Sequence, residues 1–224
     1  MIDLTKATHN RLGVWYSNDT KRHPAVRKSL ETIQVASLTK ADIITCVWQP
    51  IQNNPFHEVY SWYRSSSHLN QLLQILQCLY VAKSINDYKY VSFLEHDVMY
   101  GEGYFDYPEF ERGEVWTNMN YGGINHTGWQ HRHQEDQPMH QMTMRMEDAV
   151  DHFHEILGNA VVTNNGCIES QHLIRKQWNA PNQSIHINHG SHFTSHFTIY
   201  STHNTFEQHP YWGEYSDYNH LFVK

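Results

Sequence analysis

The stretch YKYVSFLEHDVMYGEGYFDY, residues 88–107, contains a short apolar run that ends abruptly in charged residues. Residues 90–94 have the β-branched and aromatic composition of a buried strand. Glu95, His96 and Asp97 follow directly, before aromatic and apolar residues resume. Two neighbouring carboxylates repel each other unless a cation lies between them. The triplet is therefore the first candidate for a functional site.

The residues before this stretch alternate between strand and helix patterns. Residues 12–17 (LGVWYS) and 42–48 (DIITCVW) are β-type runs, and helical apolar spacing follows each of them, over residues 26–33 and 69–80. A polar loop ending in RSSSH is expected before the second helix. This βαβαβ order predicts an α/β fold with a mainly parallel sheet flanked by helices. Such sheets bind ligands at the carboxyl ends of their strands, which is where the acidic triplet falls.

The half of the chain after residue 110 has a looser pattern, rich in histidine and aromatic residues. Methionines recur at period two before a helical stretch that Gly158 should end, and SIHI predicts a strand. The expected elements are a loop at 121–138, a strand at 142–146, a helix to Gly158, a second helix at 167–178, a strand at 184–187 and a loop-like tail at 207–222.

Length and composition indicate one domain in a chain of 224 residues. No stretch reads as a signal peptide or a membrane span, and the odd number of scattered cysteines (Cys46, Cys78 and Cys167) is typical of reduced core thiols. We therefore expect a cytoplasmic protein, in the host cytoplasm if it is viral, with no membrane or protein partner evident. The net charge of −7 is uneven, since residues 1–40 carry seven Lys and Arg against three acids. That basic segment predicts either a phosphate-facing edge or a solvated helix face.

Hard oxygen ligands at the ligand edge of a parallel sheet suit Mg²⁺ or Mn²⁺, which are held by one or two carboxylates together with substrate phosphates. A metal that bridges a diphosphate neutralises the charge developing on a departing nucleoside diphosphate. The triplet therefore predicts group transfer from a nucleotide-activated donor.

With its preceding leucine-rich segment (65–80), the stretch at 91–107 resembles the GT-A fold glycosyltransferases, in particular a small family found in phages and bacteria. The resemblance is most specific over residues 60–107 and weaker in NHGSHFTSHF and HPYWGEY. It implies a single GT-A-like domain, a Rossmann-type arrangement in which residues 1–107 bind the nucleotide sugar and residues 108–224 bind the acceptor and complete the metal site. The expected donor is a nucleotide sugar, most simply a UDP-sugar.

The resemblance also implies roles for individual residues. Asp97 inherits the metal, Glu95 the metal or the ribose, and His96 lies between them in the donor site. A late histidine completes the metal site in such enzymes, and the candidates are His186, His189, His192 and His196, of which His189 and His192 flank a glycine turn. Asn18 and Asp19 follow the first strand, where the nucleoside is contacted.

Other candidates concern the diphosphate, the acceptor and the catalytic base. Arg64, before the second helix, is positioned to reach a diphosphate. An inverting reaction needs a carboxylate base, for which Glu169 is the candidate and Glu135 and Asp136 are rivals. Aromatic rings that can stack on a sugar or base are Trp129, Tyr211 and Trp212. The basic residues expected to face an acceptor are Lys21, Arg22, Arg27 and Lys28.

The acceptor suggested by the phage family is 5-hydroxymethylcytosine in DNA, although a glycan, lipid or small molecule stays open. Overall acidity counts against DNA, because duplex binders usually carry a strong basic patch. From another class, His133 and Glu135 have the spacing of a non-haem iron oxygenase, whose core would be an antiparallel barrel. A third alternative is a binding domain that holds a nucleotide without turnover.

Overall fold

The computed structural model describes residues 9–17, 24–63, 68–130, 138–163, 172–187 and 205–222. Within these ranges the first hundred residues alternate strands and helices as the sequence predicts. Helix α1 spans Pro24–Ser37 and helix α2 spans His68–Ile85. The strands of this half are β1 (Arg11–Tyr16), β2 (Asp42–Val47), β3 (His57–Tyr60), β4 (Tyr90–Glu95) and β5 (Val98–Met99).

The second half adds shorter strands and one long helix. Helix α3 spans Met146–Thr163, and 3-10 helices cover Met139–Gln141 and Tyr215–Phe222. The strands are β6 (Glu114–Asn118), β7 (Tyr121–Asn125), β8 (Gly128–Gln130), β9 (Met142–Arg145), β10 (Ile174–Trp178), β11 (Ser184–Ile187), β12 (Gln208–His209) and β13 (Gly213–Glu214).

The main sheet has seven strands in the order β10-β6-β9-β4-β1-β2-β3. Strand β9 is antiparallel to both of its neighbours, and every other adjacent pair is parallel. The predicted α/β class with a mainly parallel sheet flanked by helices is confirmed. An antiparallel barrel, as the oxygenase alternative requires, is not the fold that the described residues form.

A second sheet carries the order β5-β11-β7-β8. Strand β11 runs parallel to β7 and antiparallel to β5, which follows β4 after the two-residue turn at His96 and Asp97. The turn therefore joins the two sheets, because β4 belongs to the first and β5 to the second. This geometry places the acidic triplet at a junction of both sheets.

Alternate residues of the central strands enter two different cores. Val14 and Phe93 pack in one cluster with residues of α2 and α3, whereas Trp15 and Leu94 pack in the other with residues of α1. Gly13 of β1 has little room for a side chain, since a Cβ there would lie 2.5 Å from Ile43 Cδ1. The period-two alternation explains why these strands are buried on both faces.

Several local predictions in the looser regions are wrong. The polar segment before α2 contains the short edge strand β3, in which only Val59 is buried, so its pattern was too polar to read as a strand. The loop expected at 121–138 contains the hairpin β7–β8. The helix expected at 167–178 is strand β10 over its last five residues, because pairing with β6 overrides local propensity. Residues 164–171 lie outside the described ranges.

Two further differences concern the ends of elements. Helix α3 continues past Gly158 to Thr163, since a Cβ at that glycine would meet no atom within 4 Å and an isolated glycine only weakens a helix. The tail is not irregular, because β12 and β13 pair and a 3-10 helix follows them. The methionine strand is confirmed, and Met144 and Met146 are core residues as the period-two pattern suggests.

The two cysteines within the described ranges are core residues. Cys46 and Cys78 are free and buried, as expected, and burial with a hydrogen bond to Cys46 raises the pKa of the Cys78 thiol. Cys167 lies outside the described ranges. Among the described residues, no helix is both long enough and apolar enough to cross a membrane.

Candidate active site

Glu95, the last residue of β4, is held by three side-chain donors. Tyr16 Oη on β1 donates to Oε1 at 2.9 Å, and Gln71 Nε2 on α2 lies 3.4 Å from the same oxygen. His140 Nδ1 lies 3.1 Å from Oε2. Both carboxylate oxygens therefore have protein partners contributed by separate elements, which fixes the orientation of this side chain.

These contacts also set the charge on Glu95. Burial raises the pKa of the carboxyl, but the hydrogen bond and the charge of His140 outweigh it, so the pKa is lowered. Burial and the charge of Glu95 raise the pKa of Tyr16 well above its usual value, so the phenol stays a neutral donor. Glu95 is thus an anion stabilised by its neighbours.

The backbone around Glu95 is held as firmly as its side chain. Its amide N donates to Tyr100 Oη at 2.9 Å, and Ser29 Oγ on α1 donates to its carbonyl oxygen at 3.1 Å. The end of β4 is therefore linked to α1 and to the aromatic segment that follows β5. A preorganised strand end of this kind costs little reorganisation when a ligand binds.

Asp97 meets a histidine from the second sheet. Its carbonyl oxygen accepts from Ile187 N at 2.7 Å, and His186 Nε2 on β11 lies 3.4 Å from Oδ2. Burial lowers the pKa of His186, but the Asp97 charge and hydrogen bond outweigh it, so the pKa is raised. His96 lies between the two acids and is half-buried. Of the four late histidines considered from sequence, His186 is thus placed beside Asp97.

The sequence reasoning missed His140. This residue lies in the 3-10 turn Met139–Gln141, and its carbonyl oxygen accepts hydrogen bonds from Tyr100 Oη at 3.3 Å and Tyr104 Oη at 3.0 Å. Its ring stacks on that of His186 with centroids 5.6 Å apart and an interplanar angle of 16°. A lone histidine in a methionine-rich segment carries no spacing signal, so only the tertiary fold reveals it.

The two acids are thus each compensated by an imidazole. The expectation of two uncompensated carboxylates is corrected, because Glu95 pairs with His140 and Asp97 with His186. Among the described residues, no group of three or more His, Cys, Asp or Glu side chains is arranged to hold a metal ion. His189, His192 and His196 lie outside the described ranges.

The three aromatic candidates all contact His209, and they do not form an exposed stacking surface. Trp129 is fully buried, with its ring 5.0 Å from those of His209 and Tyr218, which corrects the expectation that it stacks on a sugar or base. The backbone amides of Tyr211 and Trp212 both donate to His209 Nδ1 at 3.1 Å. Tyr211 is 40% exposed, and of the three candidates it is the most exposed.

The basic candidates are described in part. Arg27 on α1 is exposed, and Lys28 Nζ lies 5.3 Å from the centroid of the Tyr218 ring in the C-terminal 3-10 helix. The candidates outside the described ranges are Asn18, Asp19, Lys21, Arg22, Arg64, His133, Glu135, Asp136 and Glu169.

Comparisons with known proteins give structural likenesses only. No family model and no curated protein sequence matches the chain. A protein described as a nucleotide-diphospho-sugar transferase from Desulfovibrio desulfuricans G20 aligns with a TM-score of 0.42 and 8% identity over 80% of this chain and 82% of its own. A glycosyltransferase involved in glycosylation of the major capsid of PBCV-1 aligns with a TM-score of 0.43 and the same identity and coverage. At these values, neither likeness carries an inference about the activity of this chain.

Proposed function

We propose that this protein is a glycosyltransferase that moves a sugar from a nucleotide sugar to a hydroxyl acceptor. One observation carries the proposal: Glu95 and Asp97 lie at the carboxyl end of β4, in the middle of a mainly parallel sheet. Ligands of open α/β sheets bind at that edge. The resemblance of residues 60–107 to GT-A enzymes supports the same class.

Asp97 is the acid to which the resemblance assigns the divalent cation. Both Glu95 oxygens accept hydrogen bonds from protein donors, and His186 Nε2 lies 3.4 Å from Asp97 Oδ2. Mg²⁺ and Mn²⁺ need only one or two protein carboxylates when phosphate oxygens complete their shell. When bound there, such an ion would supply the positive charge that a leaving nucleoside diphosphate requires.

In this proposal the protein's own residues orient the donor and take up the acceptor proton. Glu95 stays a fixed anion beside the donor, and Tyr16 and Gln71 keep its side chain in place. In the transfer, the bond from the anomeric carbon to the diphosphate oxygen breaks and a bond to the acceptor oxygen forms. The acceptor proton goes to a base, for which Glu169 remains the candidate from sequence.

The acceptor that we propose is 5-hydroxymethylcytosine in DNA. Unmodified cytosine offers no hydroxyl nucleophile, and the hydroxymethyl group supplies one. A base in a duplex would be extruded to reach the site. The support is the resemblance to a phage family and the basic excess of residues 1–40, which includes exposed Arg27.

Incubation with a panel of nucleotide sugars and Mn²⁺ tests both the transferase activity and the DNA acceptor. Release of nucleoside diphosphate is scored with duplexes that contain either cytosine or hydroxymethylcytosine, and digested nucleosides are weighed by mass spectrometry. A sugar adduct on hydroxymethylcytosine alone supports the full proposal. An adduct on a glycan or small molecule instead removes the DNA acceptor but keeps the transferase. Nucleotide binding without any release supports the binding-domain alternative.

A further inference from the structure

His140 is a buried histidine that uses only one of its two ring nitrogens within the described residues. Its Nδ1 lies 3.1 Å from Glu95 Oε2, and the residue is 3% exposed. Its Nε2 is shielded from solvent and has no hydrogen-bond partner in the part of the chain that the structure describes. An unsatisfied buried nitrogen destabilises the fold, and a leucine or methionine of similar volume would avoid that loss.

Packing therefore does not explain a histidine at this position, whereas its contact with Glu95 does. An ionised carboxylate can only accept, so the ring must carry a proton on Nδ1. At this position Nε2 is buried without a hydrogen-bond partner among the described residues, whereas Nδ1 makes the hydrogen bond to Glu95.

The ring is also fixed in direction. Hydrogen bonds from Tyr100 and Tyr104 hold the His140 carbonyl, and the Tyr121 ring packs edge-on against the imidazole with centroids 6.1 Å apart. A second ring contact is the stack on His186, whose Nε2 approaches Asp97. One imidazole thus contacts Glu95 directly and braces the histidine that meets Asp97.

We propose that His140 is the positioning residue of the acidic pair. It holds the Glu95 carboxylate through Nδ1 and keeps the His186 ring in the plane from which it meets Asp97. This inference rests on the proposed transferase function, because it assigns His140 to the same site. His140 touches neither donor nor acceptor in this role.

Substitution of His140 by asparagine or by glutamine tests the two ring nitrogens separately. The amide of His140→Asn reaches about the place of Nδ1, whereas that of His140→Gln reaches about the place of Nε2. We expect His140→Gln and His140→Leu to lower kcat/KM for the donor about 10- to 100-fold, the range found for residues that orient a site's ligands. His140→Asn should restore a clear share of that loss. Urea unfolding of each variant separates this pattern from simple loss of stability.

Three results would overturn the inference. His140→Leu with wild-type kinetics would show that the residue only fills space, and His140→Gln outperforming His140→Asn would make Nε2 the working atom. Two-dimensional ¹⁵N NMR of the imidazole offers a readout that needs no turnover, and a proton on Nε2 with a bare Nδ1 contradicts the proposal. Failure of the wild type to bind UDP with Mn²⁺, or to transfer from any nucleotide sugar, would instead overturn the proposed function and this inference with it.

Discussion

His186 Nε2 on β11 lies 3.4 Å from Asp97 Oδ2, so a residue of the four-stranded sheet meets an acid that follows the central strand of the seven-stranded sheet. The two sheets are joined at this point by the turn between β4 and β5. The contact brings an imidazole to the proposed metal ligand. Burial lowers the pKa of His186, but the charge and hydrogen bond of Asp97 outweigh it and raise the pKa. The position of the Asp97 side chain therefore depends on a residue of the second sheet.

Replacing Asp97 with asparagine should abolish transfer while the protein stays folded. The change removes a charged oxygen ligand and keeps the side-chain volume, so turnover should fall by more than the roughly 100-fold seen when residues outside a metal's ligand shell are changed. The measurement is nucleoside diphosphate release with Mn²⁺, with circular dichroism to confirm folding. Asp87→Asn, an exposed aspartate before β4, is the control. Near-normal turnover of Asp97→Asn would contradict the metal assignment.

Tyr16→Phe should destabilise the protein by about 1.5–3 kcal/mol, the range for a hydrogen bond to a charged group. The phenol is buried and donates to the Glu95 anion at 2.9 Å. Tyr60→Phe is a matched control, because its hydroxyl donates to Glu58 at 2.7 Å but on the surface, where a loss within about 0.5 kcal/mol is expected. Urea unfolding measures both, and equal losses would mean that burial of the Glu95 contact does not matter.

The sequence predicts the first half of the fold because its signals there are local. Strands β1, β2 and β4 are continuous apolar runs, and α2 has an unbroken apolar stripe. Strands β3 and β10 escape prediction because each buries a single residue and is defined by its neighbour in the sheet. Edge strands of this kind are specified by tertiary pairing rather than by their own pattern.

In the candidate site, too, the local features are predicted from the sequence and the tertiary contacts are not. The position of Glu95 and Asp97 at a strand end follows from the sequence, since strand order fixes the ligand edge. The pairing of Glu95 with His140 does not, because it joins residues 45 positions apart through a short 3-10 turn without a motif. Sequence reasoning therefore finds the acids and misses the imidazole that orients one of them.

His152 should make the protein less stable in acid. Burial in α3 lowers the pKa of this imidazole to about 4, against about 6.5 in the unfolded chain. Above pH 6.5 both states are neutral and the histidine has no effect, whereas between pH 6.5 and 4 the unfolded state takes up the proton first. At pH 5 this linkage costs the wild type about 2 kcal/mol.

His152→Gln removes that proton uptake and should show a smaller loss of stability between pH 7.5 and pH 5. The comparison of urea unfolding curves at the two pH values isolates one histidine among 19. His126→Gln, at an exposed hairpin position, is the control and should keep the wild-type pH dependence. Identical pH dependence in His152→Gln and the wild type would show that the residue is not buried as a neutral imidazole.

The last prediction concerns the basic segment and its proposed meeting with DNA. Arg27 is exposed on α1, and Lys21 and Arg22 precede that helix in the sequence. Lys28 is left unchanged, because its ammonium packs over the Tyr218 ring and its loss would disturb the tail. Reversal of two charges, in Arg22→Glu with Arg27→Glu, should weaken duplex binding and reduce the slope of log K against log salt by about 2, since each phosphate contact contributes about 0.9. Fluorescence anisotropy with a labelled duplex between 50 and 200 mM salt (about the range over which this dependence is usually followed) gives the slope.

The control is Lys83→Glu, a charge reversal at the exposed carboxyl end of α2, which should leave the salt slope unchanged. If the double reversal has the slope of the wild type, the basic segment is a solvated face, and the DNA acceptor loses its electrostatic support while the transferase proposal stands on Asp97.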